Sequence, residues 1–251
     1  MHRIPIDDSV DGRYRSMIKA VLFDLDGTLL DIDMDIFIQN YFKLMVEMAR
    51  HRGLPYQDLP KKIMTATEAM IRDKDPNRTN KEVFESVFYK ICEADPNLMA
   101  AFFNDFYKEA FPRLSSLAAP MQGAQEVVAK AFEQGFKVAI ATNAIFPYSA
   151  INERLKWAQC HDFPYELVTT YENMYFCKPH HEYYLDICRF LGVQPHECLM
   201  VGNDVAEDLV AGEVGMETFL CRKRILNEGA RRIKPRYEGD LLLLYRLLSE
   251  T

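Results

Sequence analysis

Apolar residues recur along this chain in two rhythms. Short, nearly unbroken runs stand at Met17–Phe23, Lys137–Thr142, Glu166–Thr170, Cys198–Val201 and Thr218–Cys221. Runs of that length without polar alternation predict strands buried on both faces, as in parallel sheets. Between the later runs the spacing turns helical. Val127, Val128, Ala131 and Phe132 mark a helix over Gln125–Gln134 stopped by Gly135, and a second covers His181–Leu191 and ends at Gly192. Strand and helix in alternation predict an α/β fold with a doubly wound parallel sheet.

Residues 33–114 break the alternation. Phe37, Tyr41, Leu44 and Met48 repeat at helical steps, and a weaker pattern covers Leu59–Ile71. Val83, Phe84, Val87, Phe88 and Ile91 form another stripe, with Asn80 as its expected N-cap. Asp95-Pro96 supplies a cap and a first-turn proline ahead of Leu98, Phe102 and Phe106. The expectation is an all-helical second domain, residues 33–114, inserted into a core made of residues 17–32 and 115–251. Its hinges would fall near residues 30–33 and 114–120. Its aromatic residues, among them Phe84, Phe88, Phe102, Phe103, Phe106 and Tyr107, are expected to fill its own interior. Residues 1–16 read as an N-terminal extension without a motif.

Composition narrows the function classes. The chain has 251 residues, enough for a core domain and a smaller one. No apolar run approaches the roughly 20 residues of a membrane span, and residues 1–16 lack a secretory pattern. Six cysteines without a Cys-x-x-Cys pair suggest free thiols, and with the missing signals point to the cytoplasm. A net charge of −7 argues against a general nucleic-acid binder. The basic residues Arg222-Lys223-Arg224 and Arg231-Arg232 read as a solvated loop before the last helix. Oligomeric state is not legible here.

Candidate chemistry begins at the tip of the first strand, in Asp24-Leu25-Asp26-Gly27-Thr28. Open α/β sheets gather their chemistry at the carboxyl ends of strands. One carboxylate there can attack or bind a metal while the other exchanges protons, and glycine allows a tight turn beside a ligand. A plain turn has the same composition. An EF-hand loop would use Asp24, Asp26, Thr28 and Asp35, but Leu29 stands where that loop needs glycine, and a strand precedes it. Asp31, Asp33 and Asp35 are read as favouring the start of the next helix. His51, His180 and His181 show no metal spacing, and the last two suit a helix start.

Phe23-Asp24-Leu25-Asp26-Gly27-Thr28-Leu29 closely resembles the first signature of the haloacid dehalogenase superfamily. Three further signatures follow in order: Val138-Ala139-Ile140-Ala141-Thr142-Asn143, Lys178-Pro179, and Leu199-Met200-Val201-Gly202-Asn203-Asp204 with Asp208. The resemblance runs from about Ile18 to Leu248, and the helical insert matches the family's type-one cap in kind only. It implies a magnesium-dependent phosphatase acting on a small phosphorylated metabolite. By resemblance Asp24 is nucleophile, Asp26 acid and base, and Lys178 the charge-neutralising cation. Gly27, Thr28, Thr142 and Asn143 would bind substrate. Magnesium would lie on the Asp24 carboxylate, the Asp26 carbonyl and Asp204, with Asp208 supporting Lys178 or a metal-bound water. The family commonly shows Gly-Asp where this chain has Gly202-Asn203-Asp204, so Asn203 is the alternative occupant of the ligand position. A phosphomutase would share these residues. A 2-haloacid dehalogenase usually lacks the second aspartate, and a non-catalytic relic usually loses the nucleophile or lysine.

Overall fold

The computed structural model describes residues 17–54, 57–230 and 233–250; the extension 1–16 and the Arg231-Arg232 pair lie outside them. In chain order the strands are β1 (Ala20–Phe23), β2 (Leu30–Ile32), β3 (Ala118–Pro120), β4 (Lys137–Ile140), β5 (Leu167–Val168), β6 (Cys198–Gly202), β7 (Glu217–Cys221) and β8 (Tyr237–Gly239). Six of them form a parallel sheet in the order β5-β4-β1-β6-β7-β8. The chain leaves β1 towards β4 on one side and β6 on the other, so β1 lies at the point where strand order reverses.

Alternation along β1 explains why its run is apolar throughout. Val21 and Phe23 join one buried cluster with Val138, Ile140 and Val201, while Ala20 and Leu22 join another with Ala139 and Met200. Both faces are covered, as the continuous runs predict. The first face carries α5 (Ala124–Glu133) and α8 (Leu241–Ser249), and the second carries α7 (His181–Leu191). Gly192 ends α7 with φ +64°, a left-handed stop that glycine adopts without strain.

Between β2 and β3 the described chain is helical: α1 (Met34–His51), α2 (Leu59–Arg72), α3 (Asn80–Ile91) and α4 (Pro96–Asp105), followed by a π-turn at Phe106–Ala110 and a 3₁₀ stretch at Phe111–Leu117. Within the segments read as hinges, β2 and β3 pair antiparallel with Leu30 opposite Pro120. Two details differ from the sequence expectation. Thr79, not Asn80, caps α3, closing a capping box with Glu82. Asn80 instead turns inward and donates to the Ala144 and Phe176 carbonyls at 3.1 and 3.2 Å, because it is buried against the sheet domain. The inward stripe of α4 is Met99 and Phe102, continued by Phe106 at the start of the π-turn, and Leu98 faces out, 51% exposed. A helix absent from the sequence reading, α6 (Tyr148–Trp157), follows β4, and its Trp157 stacks on Phe111 at 5.4 Å.

The basic segment is also more engaged than a solvated loop. Lys223 and Arg224 both pair with Asp31, at 2.6 and 2.7 Å, and Arg222 pairs with Glu238. Asp31 therefore does not serve the α1 terminus; Asp33 does, accepting from the Ile36 N–H. All six cysteines are free and buried. No helix among the described residues is long and apolar enough to cross a membrane.

Candidate active site

Parallel register brings three loop starts together. Phe23 lies beside Ile140 on one side and Val201 on the other. The next peptide continues the ladder, with Asp24 N–H donating to Val201 O at 2.8 Å and Ala141 N–H to Phe23 O at 2.7 Å. Asp24, Thr142-Asn143 and Asn203-Asp204 therefore emerge side by side at the carboxyl edge. A cavity of about 210 Å³ opens there, walled by Asp24, Asp26, Thr142, Asn143, Asp204 and Asp208 among others.

Lys178 reaches this edge from the loop before α7. Its Nζ donates to Asp24 Oδ1 at 2.9 Å and to Asp208 Oδ1 at 2.6 Å, and the side chain is 1% exposed. Burial alone would discharge the ammonium, but Asp208 and then Asp24 hold it well above the usual lysine range. Burial raises the Asp24 carboxyl, against the pull of Lys178. Burial likewise pushes Asp208 up to about 7, again against Lys178. One ammonium thus serves two buried acids. Gly202 makes this arrangement possible, since a Cβ there would overlap the Asp208 carboxylate.

The remaining expected residues divide between cavity wall and scaffold. Asn143 accepts from the Lys178 backbone N–H at 3.2 Å and donates to both oxygens of Glu207 at 3.1 Å. The Thr142 carbonyl accepts from the Tyr183 and Thr169 hydroxyls, both at 2.7 Å, which fixes that peptide. Thr28 is fully buried, its hydroxyl donating to Asn203 Oδ1 at 2.9 Å, and neither Thr28 nor Gly27 is among the cavity-lining residues. Asn203 is occupied at both ends, its Nδ2 donating to Arg224 O at 2.6 Å. Gly27 has φ +80°, and a side chain there would run into the Asn203 amide, so this turn needs glycine twice over. The Asp204 carboxylate accepts from the Ala206 and Glu207 N–H groups and from Asn227 Nδ2. His180 and His181 stay at the start of α7, bonded to Ile71 O and Glu213.

Two site residues went unseen in the sequence. Arg154 of α6 is 1% exposed and donates through Nη1 to Asp26 Oδ2, its guanidinium 4.5 Å from the Phe146 ring centroid. Ala150, Ile151, Arg154 and Leu155 share the buried stripe of α6, so an arginine on an apolar face was the available signal. Asp26 Oδ1 and Arg154 Nη2 are buried without protein partners among the described residues. Arg154→Met is expected to lower unfolding free energy by about 3–5 kcal/mol, since it leaves a carboxylate uncompensated. Arg154→Lys should recover only part, because an ammonium cannot reproduce the planar fork; urea titration of the three proteins checks both.

Glu207 is the second. It lines the cavity, and burial pushes it up to about 7 from an ordinary 4.5. An acid that holds its proton more tightly when folded stabilises the fold at low pH, and loses that contribution as pH rises from about 4.5 to 7. At about 1.4 kcal/mol per pH unit this amounts to about 3 kcal/mol for the metal-free protein. Glu207→Gln should remove only its own share of the decline, the raised Asp208 and Asp24 keeping theirs, measured by urea unfolding at about pH 5 and pH 7.5.

Hard oxygen donors in excess of cations are what a magnesium ion needs. Asp24, Asp26, Asp204, Glu207 and Asp208 line the cavity, and the buried cations that touch them are Lys178 and Arg154. No group of three or more acidic, histidine or cysteine side chains converges as a complete metal site among the described residues. Hard carboxylate oxygens of this kind suit an ion that keeps several waters in its shell, as magnesium does.

A parallel sheet with acids at the tip of its central strand, a buried lysine and a helical insert after the first strand defines a class of α/β hydrolases. The chain belongs to the haloacid dehalogenase-like hydrolase family, whose model matches residues 18–215. It is similar to glyceraldehyde 3-phosphate phosphatase of Methanopyrus kandleri, 25% identical over 231 residues that span 90% of this chain and 91% of the relative. It is also similar to N-acetylmuramic acid 6-phosphate phosphatase of Pseudomonas aeruginosa, 25% identical across 83% of each. Among solved structures, a HAD phosphatase from Thermococcus onnurineus shares the fold with a TM-score of 0.57 at 21% identity, covering 92% of this chain and 98% of that one.

Proposed function

We propose that this chain is a magnesium-dependent phosphatase that hydrolyses a small phosphomonoester through a phosphorylated Asp24. The observation that carries this reading is the Asp24 carboxylate at the tip of β1, 2.9 Å from a buried ammonium and open to a cavity shared with Thr142, Asn143 and Asp204. Family membership and the phosphatases among its relatives support the same reading.

A phosphate monoester approaching a carboxylate is opposed by like charge, so the site must place positive charge where oxygens crowd. Lys178 supplies it at Asp24. Magnesium, held by the Asp24 carboxylate, the Asp26 carbonyl and Asp204, would add charge neutralisation for the phosphoryl oxygens. The Thr142 hydroxyl and a backbone or side-chain amide at Asn143 would donate to the remaining oxygens, the Asn143 side chain being held by Glu207 and by the Lys178 N–H. Asp208 keeps Lys178 aimed at Asp24.

An Asp24 oxygen attacks phosphorus as the P–O ester bond breaks, and Asp26, protonated in this step on the oxygen that Arg154 does not hold, gives that proton to the departing alkoxide. Asp26 then takes a proton from water, whose oxygen attacks the phosphorus of the acyl-phosphate. Inorganic phosphate leaves and the Asp24 carboxylate is restored. Such acid–base help is worth about 10²–10⁴-fold. Asp26 favours phosphoryl transfer over dehalogenation, since an alkoxide needs a proton and a halide does not. Six buried free thiols suit a reducing compartment such as the cytoplasm.

A panel of phosphorylated metabolites should identify esters that release inorganic phosphate with magnesium present and stop when a chelator is added. Transfer of phosphate between positions of a sugar without net release would replace this reading with that of a mutase. Absence of any magnesium-dependent turnover would remove it.

A further inference from the structure

A second cavity of about 300 Å³ adjoins the catalytic one, and the two share Met34, Ile145 and Phe146 as wall. Its other walls come from α1, α2, α3 and the α4 region above, and from Pro147 and Tyr171 below. Its volume stands at the lower end of the roughly 300–1,000 Å³ of small-molecule sites.

Its chemistry is the opposite of its neighbour's. None of the residues lining it is charged, and Tyr41, Thr67, Tyr107 and Tyr171 are its only side chains with hydroxyls. Two of those are already used, Tyr41 and Tyr107 bonding to each other at 2.8 Å. Phe84, Phe103 and Tyr107, expected from sequence to serve the insert's own interior, turn part of their surface to this space. A polyhydroxylated guest would bury hydroxyls that the walls cannot satisfy, which weakens binding. A carboxylate guest would enter an apolar space and face Asp26 and Glu207 across the shared wall. Apolar carbon fits it by burial alone.

Resting on the phosphatase reading, we propose that the substrate's leaving group is an uncharged, largely apolar alcohol of arylalkyl character, seated in this chamber while its phosphate lies at Asp24. Met34, Ile145 and Phe146 form the sill between the two halves of the substrate. Selectivity for the ester then comes from carbon packing, and phosphorylated sugars, nucleotides and phosphorylated carboxylic acids are poor substrates.

The test compares kcat/KM for benzyl phosphate, ethyl phosphate, ribose 5-phosphate and 2-phosphoglycolate with the unaltered protein and magnesium. All four release an alkoxide, so intrinsic reactivity differs little. Benzyl phosphate should exceed ethyl phosphate at least about tenfold, the effect of adding well-packed carbon to an apolar pocket, and the other two should fall below ethyl phosphate. If ribose 5-phosphate or 2-phosphoglycolate matches or exceeds benzyl phosphate in an Asp24-dependent reaction, the chamber assignment is wrong and the phosphatase reading stands. If no ester yields Asp24-dependent phosphate, both are wrong. As a second arm, Met64→Trp places an indole ring at a residue that lines the chamber, narrowing it. The benzyl-to-ethyl ratio should drop towards one, mainly through KM; an unchanged ratio in a folded variant overturns the proposal, and the substrate series decides if the variant does not fold.

Discussion

Replacement of Asp24 by asparagine is expected to abolish phosphate release, lowering kcat by at least about 10⁴-fold, as loss of a covalent nucleophile does. The change puts an amide nitrogen in place of one carboxylate oxygen and removes one negative charge at the tip of β1. Lys178 keeps its shorter bond, 2.6 Å to Asp208, so its ammonium remains paired. The Asp24 backbone N–H still meets Val201 O. Asp24 is 7% exposed and its carboxyl is raised by burial, so a neutral amide of the same shape avoids a desolvation cost. Stability near that of the parent is therefore expected. Two measurements check this: phosphate release under saturating substrate, and the mass of quenched protein, which should show a phosphoryl adduct for the parent and none for the variant. Residual turnover within tenfold of the parent would mean that Asp24 is not the attacking group.

Lys178→Met is expected to damage both activity and fold. The side chain is wholly enclosed between two carboxylates, and methionine matches its length without its charge. Removing one member of a buried charge cluster typically costs about 3–5 kcal/mol, because the others stay behind uncompensated. The loss should depend on pH in a definite direction. Asp208 is already pushed up to about 7 with the lysine present. Below that value the orphaned acids take up protons and part of the loss is relieved; above it they repel each other. Urea unfolding should thus show a larger deficit at about pH 8 than at about pH 5.5. Adding Asp208→Asn should return part of the stability but none of the turnover, since the cation facing Asp24 stays absent. A Lys178→Met protein as stable as the parent at high pH would contradict the enclosed triad.

The continuous apolar runs made the sheet legible, because burial on both faces leaves no room for polar residues in β1, β4 and β6. Asp24, Thr142 and Asp204 were legible for a related reason: each sits one or two positions beyond a buried strand, where the chain turns, whereas Lys178 lies well past β5 and showed only through the order of the signatures. What stayed hidden had weak or misleading local signals. β2, β3 and β8 are three residues each, too short to show a period, and β3 and β8 have no buried residue. α6 has a mixed pattern in which its largest buried side chain, Arg154, is charged, and a charge ordinarily marks the outside of a helix. Glu207 sits one position ahead of Asp208 and was passed over in favour of it. The true cap of α3 was missed for a similar reason. Thr79 and Asn80 are both good N-caps, and only the burial of Asn80 against Ala144 and Phe176 decides between them. In each case the deciding contact comes from a distant stretch of chain.

The division of labour around the shared wall of Met34, Ile145 and Phe146 has a consequence for how such a protein diversifies. On the reading proposed above, the groups facing phosphorus would come from the ends of β1, β4 and β6 and from Lys178 beside Asp24, whereas most surfaces facing the second cavity come from the helices strung between β2 and β3. Substitutions in those helices can therefore exchange one ester for another while the bond-breaking apparatus is inherited intact, and lineages can part company in diet without parting company in chemistry.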